Sequence, residues 1–229
     1  MKVLGIETST SLCGVALVEE DRVLSEESTH EGMVHSERLL VMIDGACRAS
    51  RCTVRDLSAI AVSIGPGSFT GLRIGLSVAK GLAYATGASI VAVPTLHAIA
   101  LEAADDTATR GVRMILASLD ARRDEVYCQL FHRTPDGLAP DGEAADCAVT
   151  ELAGKLAGLD VALAGTGAAK VARVLPPSAR WIIAGGERGC VSSARVALEG
   201  ARMLARGELA DASTLEPRYI KEFFLARHH

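Results

Sequence analysis

The sequence predicts an α/β protein built from two similar halves. Three short strand-like runs open the chain, and an apolar strand, a glycine-rich loop and a long helix follow. A related succession starts at Arg113, where MILASLDARRDEVYCQLF resembles the opening VLGIETSTSLCGVALV. Two halves of one order indicate a duplicated unit, with a cleft between the lobes where ligands usually bind in such folds.

The first half begins as an antiparallel meander, because the tight Glu20-Asp21 turn joins its second and third strands. Ser36 is a plausible helix N-cap, since apolar residues follow it at helical spacing. The predicted elements are strands at 2–7, 13–19 and 22–28, a helix from about 36, a strand at 59–64, a helix at 69–86 and a strand at 89–93.

The second half is predicted to contain strands at 113–120, 125–132, 160–164 and 180–183 and helices at 167–175 and 191–206. The polar segment 103–110 marks the boundary between the halves. We therefore expect an N-terminal lobe at 1–105, a C-terminal lobe at 106–190 and a tail at 208–229. The closing helix, at 191–207, is expected to pack back on the N-terminal lobe.

Composition narrows the class of protein. The 229 residues are 49% hydrophobic, which is enough to bury a sizeable core. The net charge of −4 gives no global positive field to hold an RNA backbone, and 3% aromatic residues argue against a stacking platform for single strands. The six scattered cysteines suggest reduced thiols, and no run reaches the ~18 apolar residues of a membrane span. We therefore expect a cytoplasmic protein without a membrane partner.

Small residues recur at every fourth position along the long predicted helix. Side chains four apart form one ridge of a helix, and a ridge without bulk lets another backbone approach closely. Interior glycines destabilise a helix, so a compensating tertiary contact is expected. Packing on the chain's own sheet and packing against a partner both remain open. The ridge consists of Gly67, Gly71, Gly75, Ala79 and Ala83.

One segment is specific enough to indicate a family. It reads GPGSFTGLRIG from Gly65 to Gly75 and continues with AKG at 79–81. This segment resembles the signature of the TsaB (YeaZ-like) family. GIETS at 5–9, HSERL at 35–39 and DARRDEVY at 120–127 also resemble segments of that family, so the match spans both halves.

The resemblance implies a fold and a function. It implies a duplicated actin-like, sugar-kinase-like (ASKHA) two-lobed fold. It also implies a catalytic paralogue, TsaD, which transfers a threonylcarbamoyl group to the adenosine beside the tRNA anticodon. An ATPase subunit, TsaE, is expected to join the pair, and tRNA is expected to be bound only through the complex. Alone, the chain is expected to form a homodimer, because an exposed apolar face rarely stays bare.

The chain departs from the paralogue at its metal site. TsaD-type proteins carry two metal-binding histidines four residues apart, and an ungapped placement puts Thr95 and Ile99 there. Neither side chain replaces an imidazole ligand. His97 between them is interpreted as a packing residue. We therefore predict a non-catalytic accessory subunit without a cofactor of its own, in which ATP and metal belong to the partners.

The partner surface is predicted on the first-lobe helices, which are expected to pack against matching helices of TsaD. Apolar side chains would anchor this interface and two cations would lie at its rim. The anchors are Leu39, Leu40, Ile43, Phe69, Leu72, Leu76 and Tyr84, and the rim residues are Arg73 and Lys80.

Nucleotide binding is the alternative function, as in a small-molecule kinase of the same fold. Thr8 and Ser9 in the first half and Gly165 and Gly167 in the second are the candidates for binding phosphate and adenosine in such a fold. No G-x-x-x-x-G-K-[ST] or G-x-S-x-G motif is present, so Ser68 is interpreted as a helix N-cap and a peptidase is not predicted.

Overall fold

The computed structural model describes residues 1–30, 35–135, 137–177, 179–184 and 189–220. The strands are β1 (Lys2–Glu7), β2 (Cys13–Glu19), β3 (Arg22–Thr29), β4 (Ala59–Ser63), β5 (Ser89–Val93), β6 (Met114–Asp120), β7 (Glu125–Thr134), β8 (Gly137–Ala148), β9 (Asp160–Ala164) and β10 (Arg180–Ala184). The helices are α1 (His35–Ala49), α2 (Phe69–Thr86), α3 (Thr95–Asp105), α4 (Val149–Lys155), α5 (Ala168–Ala172) and α6 (Ser193–Ala205).

The strands form two five-stranded sheets with the same topology. The first has the order β3-β2-β1-β4-β5, and the second, read in the matching direction, is β8-β7-β6-β9-β10. In each sheet the first three strands run antiparallel, and the last two run parallel to the first. The fold is therefore a duplicated βββαβαβα unit, which confirms the predicted fold class.

The structure adds three elements that the sequence did not predict. These are helix α3 after β5, and strand β8 with helix α4 in the second half. Each one has an equivalent in the other half, since α3 corresponds to α6, β8 to β3 and α4 to α1. The helix predicted at 167–175 is shorter, because α5 ends at Ala172.

The core is divided into three apolar layers. One layer lies between the two sheets and contains α3 and α6, with Phe131 among its largest buried side chains. A second lies between the first sheet and helices α1 and α2, and a third between the second sheet and helices α4 and α5. Helices α3 and α6 thus join the lobes.

Helix α6 lies directly on the first sheet, against strands β1, β2 and β4. A Cβ atom on Gly200 would lie 2.2 Å from the Cβ of Ala61, and one on Gly5 would lie 2.5 Å from the carbonyl oxygen of Ser193. Because neither distance leaves room for a side chain, glycine at these two positions sets how closely the helix approaches the sheet.

The described helices and cysteines were also compared with what a membrane span and a disulfide require. None of the described helices is both long and apolar enough to cross a bilayer. All six cysteines lie within the described ranges and form no disulfide.

Candidate functional site

The small-residue ridge of α2 packs against the chain's own backbone just after β1. A Cβ atom on Gly71 would lie 2.0 Å from the carbonyl oxygen of Thr8, and one on Gly67 would lie 2.3 Å from that of Ser9. A Cβ on Gly75 would lie 2.3 Å from the Thr8 hydroxyl. The loop after β1 therefore fills the groove that these glycines leave.

The remaining members of the ridge face the first-lobe core. Ala79 and Ala83 are buried among the residues that α2 shares with the sheet. Gly81, which is not part of the ridge, is exposed, and a Cβ there would meet nothing within 4 Å. Of the two interpretations of the ridge, packing on the chain's own residues is the one that the structure shows.

The loop before α2 is held on both sides. Ser68 is the N-cap of α2, since its hydroxyl accepts from the amide of Gly71 at 3.2 Å, as predicted. Its own amide donates to the carbonyl oxygen of Ser9 at 2.7 Å. On the other side, Gly65 donates its amide to the Thr95 hydroxyl at 3.1 Å. The start of α2 is therefore fixed to the ends of both β1 and β5.

A buried carboxyl group lies at the end of β1. Oε1 of Glu7 accepts hydrogen bonds from the amide of Ser9 at 2.6 Å and from its hydroxyl at 2.5 Å, and Oε2 accepts from the Ser63 hydroxyl. Burial raises the pKa of Glu7 from its ordinary 4.5 to about 7, although these hydrogen bonds oppose the rise. This carboxyl group joins strands β1 and β4 beneath α2.

The first-lobe candidates for phosphate binding are covered. Thr8 and Ser9 are both buried beneath α2. The Thr8 hydroxyl oxygen has no hydrogen-bond partner among the described residues, and it faces Gly75 on α2. Both side chains are thus turned toward the helix and away from the surface.

The second-lobe candidates for nucleotide binding form a glycine turn, but other parts of the chain pack against it. Gly165 has a φ of +91°, and a Cβ there would lie 2.0 Å from the carbonyl oxygen of Ser118. A Cβ on Gly189 would lie 2.5 Å from Gly165, so the chain before α6 closes over this turn. Gly167 packs on Ser118 in the same way.

A lysine side chain fills the neighbouring loop between β6 and β7. The Lys170 ammonium donates to Oδ1 of Asp120 at 2.5 Å and to the carbonyl oxygen of Arg123 at 2.7 Å. Both Arg122 and Arg123 have a φ of +49°, a backbone conformation that residues other than glycine rarely adopt. The lysine thus holds a strained loop beside the glycine turn at Gly165.

One small cavity lies between helix α3 and the glycine turn of the second lobe. The cavity lined by Ile99, Glu102, Gly165, Gly189 and Cys190 measures about 10 Å³, which is room for about one water molecule. Burial raises the pKa of the Glu102 carboxyl, which accepts from the amide of Ser192 at the start of α6 at 2.8 Å. This cavity therefore has no room for a ligand larger than water.

The two positions matched to the paralogue's metal ligands have structural roles here. The Thr95 hydroxyl accepts from Gly65, as described above, and Ile99 is buried between the sheets. His97 stacks on Phe131, with ring centroids 5.7 Å apart and planes 17° from parallel, and burial lowers its pKa. No three His, Cys, Asp or Glu side chains converge within the described ranges.

Four of the predicted interface anchors need correction. These side chains are almost fully buried and pack in the layer between α1, α2 and the first sheet, or beside it. A partner cannot touch them without unfolding the lobe, so their apolar character is explained by the core. They are Leu39, Ile43, Leu72 and Leu76.

The other predicted interface residues, three anchors and the two rim cations, reach the surface of α1 and α2. Tyr84 is 96% exposed and Leu40 55% exposed, while Arg73 is also exposed and Phe69 and Lys80 are half-buried. The sequence analysis missed Val41, which is 69% exposed beside Leu40. Its apolar side chain next to the predicted anchor Leu40 was the sequence signal that could have added it to the predicted interface. The outer face of α1 and α2 is thus the candidate functional site.

The duplicated sheets and their facing loops define a two-lobed α/β protein of the actin-like (ASKHA) class. A solved structure of the same class, the ethanolamine utilization protein EutJ from Carboxydothermus hydrogenoformans, matches at a TM-score of 0.50 and 10% identity. Its sequence is too distant to indicate more than the fold.

Closer relatives specify the family. The family model described as "TsaD: tRNA N6-adenosine threonylcarbamoyltransferase" matches residues 25–200. A Pseudomonas aeruginosa structure described as similar to peptidase YEAZ has a TM-score of 0.82 at 28% identity, covering 96% of this chain and 99% of that one. The chain therefore belongs to the TsaD family and, within it, to the TsaB (YeaZ-like) members.

Curated relatives that are named TsaB align with this chain over part of their length. The tRNA threonylcarbamoyladenosine biosynthesis protein TsaB of Escherichia coli K12 is 36% identical over 140 residues, which are 60% of this chain and 58% of the relative. The Bacillus subtilis TsaB is 37% identical over 131 residues, or 57% and 55%. The aligned segment thus spans little more than half of either relative.

The packing of α2 leads to a prediction that contrasts two glycines of one helix. We expect Gly71→Ala to destabilise the protein by about 2 kcal/mol or more, because its Cβ would collide with the backbone at Thr8. Gly81→Ala, in open space, should stabilise it by about 0.5–1 kcal/mol. Urea unfolding of both variants measures the difference. Equal effects would contradict the packing described for the ridge.

The buried carboxyl group leads to a prediction about pH. The unfolded chain ionises Glu7 near pH 4.5 and the folded chain near 7, so its stabilising contribution is complete below 4.5 and is lost as the pH rises through 7. The difference amounts to about 3 kcal/mol. Gln resembles the protonated form, so we expect Glu7→Gln to remove this part of the pH dependence.

Unfolding free energies at pH 5 and pH 8 test this expectation. The loss of stability between the two should be smaller in Glu7→Gln than in the wild type, while the exposed control Glu19→Gln should keep the wild-type loss. A Glu7→Gln variant with the same pH dependence as the wild type would show that Glu7 does not titrate as described.

Proposed function

We propose that this chain is a non-catalytic subunit in the formation of threonylcarbamoyladenosine in tRNA, and that it acts by forming a heterodimer with a catalytic TsaD-type subunit. Membership of the TsaD family and the names of its TsaB relatives support the pathway. Because the substrate of this pathway is tRNA, we propose that the chain acts in the cytoplasm.

We propose the outer face of α1 and α2 as the surface that binds the partner. Leu40 and Val41 on α1 and Tyr84 on the neighbouring α2 expose much of their apolar surface. The inner side of α2 is already filled by the loop after β1, so a partner would bind the outer side. Large exposed aromatic and aliphatic side chains are typical anchors of protein interfaces.

The proposal of a non-catalytic role rests on what occupies the positions of the paralogue's metal ligands. Thr95 uses its hydroxyl to bind the loop before α2, and Ile99 packs between the sheets. Both side chains are therefore committed to the fold. The metal and the transferase chemistry would belong to the TsaD-type subunit.

The wider assembly follows the same proposal. A TsaE-type ATPase would join the heterodimer, and tRNA would be bound through the complex, because this chain has a net charge of −4. In the absence of TsaD, the outer face of α1 and α2 would pair with a second copy of the chain.

An ATP-dependent kinase of the same fold is not favoured. The side chain of Lys170, on α5, fills the loop between β6 and β7, and the chain at Gly189 covers the turn at Gly165. A nucleotide would have to displace both. ATP would therefore be the ligand of a partner subunit, and this chain would need no cofactor of its own.

Two measurements test the proposed function. Size-exclusion chromatography with light scattering on this chain mixed with TsaD from the same organism should give a stable one-to-one complex. The tRNA modification assay should need both chains. Absence of a complex, together with ATP turnover by this chain alone, would contradict the proposal and favour the kinase.

The position of the partner surface leads to a further prediction. We expect Tyr84→Glu or Leu40→Glu to weaken binding to TsaD at least tenfold, because a charge would be buried in an apolar contact. The matched control is Ile183→Glu in the second lobe, where the native side chain is 47% exposed. Titration calorimetry measures all three. If the control weakens binding as much as Tyr84→Glu, the partner surface lies elsewhere.

A further inference from the structure

One charged side chain on the outer face of α2 is held in a fixed position. The guanidinium carbon of Arg73 lies 3.9 Å from the centroid of the Phe69 ring, one turn earlier on the helix. Its Nε donates a hydrogen bond to the hydroxyl of Tyr219 at 3.0 Å. The Tyr219 ring itself packs on Phe69, with centroids 5.1 Å apart. The guanidinium is thus fixed by a ring on one side and a phenol at its edge.

The segment that supplies Tyr219 is anchored to the first lobe. The amide of Ala210 donates to the carbonyl oxygen of Ile90 at 2.9 Å, and the amide of Arg218 donates to that of Ile64 at 2.6 Å. Between these two points, Leu215 packs against the core beneath α2. The position of Tyr219 therefore follows from the fold of the lobe.

The two terminal nitrogens of Arg73 have no hydrogen-bond partner among the described residues. Some other arginines of the described ranges are already paired, since Arg48, Arg180, Arg195 and Arg206 each form an ion pair with a carboxylate of this chain. A planar guanidinium with two open nitrogens matches a carboxylate, which it binds with two parallel hydrogen bonds.

We infer that Arg73 binds a carboxylate side chain of the TsaD-type partner and that Tyr219 is the residue that positions Arg73 for this contact. The inference rests on the proposed function, which supplies the partner. Arg73 lies on the same outer stripe of α2 as Tyr84, so one partner surface reaches both. Because the side chain is held before binding, little rotamer freedom is lost when the contact forms.

Four variants test the two roles separately. Arg73→Ala removes the guanidinium, and Arg73→Lys keeps the charge but loses the paired hydrogen bonds. Tyr219→Phe removes only the hydroxyl that holds Nε and keeps the ring on Phe69. The double variant combines Arg73→Ala with Tyr219→Phe, and the exposed Arg22→Ala on β3 is the matched control.

The dissociation constant for TsaD from the same organism is measured by biolayer interferometry at 50 and 300 mM salt. We expect Arg73→Ala to weaken binding about thirtyfold, Arg73→Lys about tenfold and Tyr219→Phe about threefold. Arg73→Ala should also reduce the salt dependence. In the Arg73→Ala background, Tyr219→Phe should have no further effect, because its only role in binding is to position the arginine.

Two results would overturn the inference while leaving the proposed function intact. One is a dissociation constant that stays close to the wild-type value in both Arg73→Ala and Arg22→Ala. The other is an effect of Tyr219→Phe that is the same with and without Arg73, which would make the tyrosine an independent contact. If the wild-type chain fails to bind TsaD at all, the proposed function itself is wrong. Thermal unfolding of each variant verifies that the fold is retained.

Discussion

The structure depends on the close contact between α2 and the loop that follows β1. At Gly67, just before the helix, and at Gly71 and Gly75 on its first two turns, the backbone or hydroxyl of Thr8 and Ser9 lies where a Cβ atom would have to be, so glycine fits best. This contact fixes the start of α2 and covers the buried Glu7. Because the inner side of α2 is filled in this way, the outer side is the one that remains for another molecule.

The second lobe repeats the architecture of the first but uses its ligand edge differently. Its glycine turn at Gly165 is covered by the chain at Gly189, and Lys170 neutralises Asp120 in the adjacent loop. Internal contacts thus occupy the second-lobe residues that the sequence analysis offered as nucleotide-binding candidates. A family that contains a catalytic transferase thereby includes a chain whose exposed surface, rather than its cleft, carries the function we propose.

Local patterns predicted much of the fold. The ends of α2 follow from the N-cap Ser68 and the left-handed Gly87, and both limits agree with the prediction. The faces of the helices were harder, because Leu72 and Tyr84 are both apolar in the sequence but only Leu72 is buried. The contact between Arg73 and Tyr219 joins residues 146 positions apart, which no local pattern reveals. Strand β8 was missed because it contains proline, glycine and several acidic residues.

Hydroxyl-radical footprinting of this chain, alone and mixed with TsaD, tests the central claim most directly. Oxidation of a given side chain slows when that side chain is covered, so Tyr84, Leu40 and Val41 are each compared with themselves in the two samples, and Trp181 in the second lobe, 43% exposed, is an internal reference. The account predicts that TsaD sharply lowers oxidation of the three residues on α1 and α2 and leaves Trp181 unchanged. Protection of Trp181 with continued oxidation of Tyr84 would contradict it.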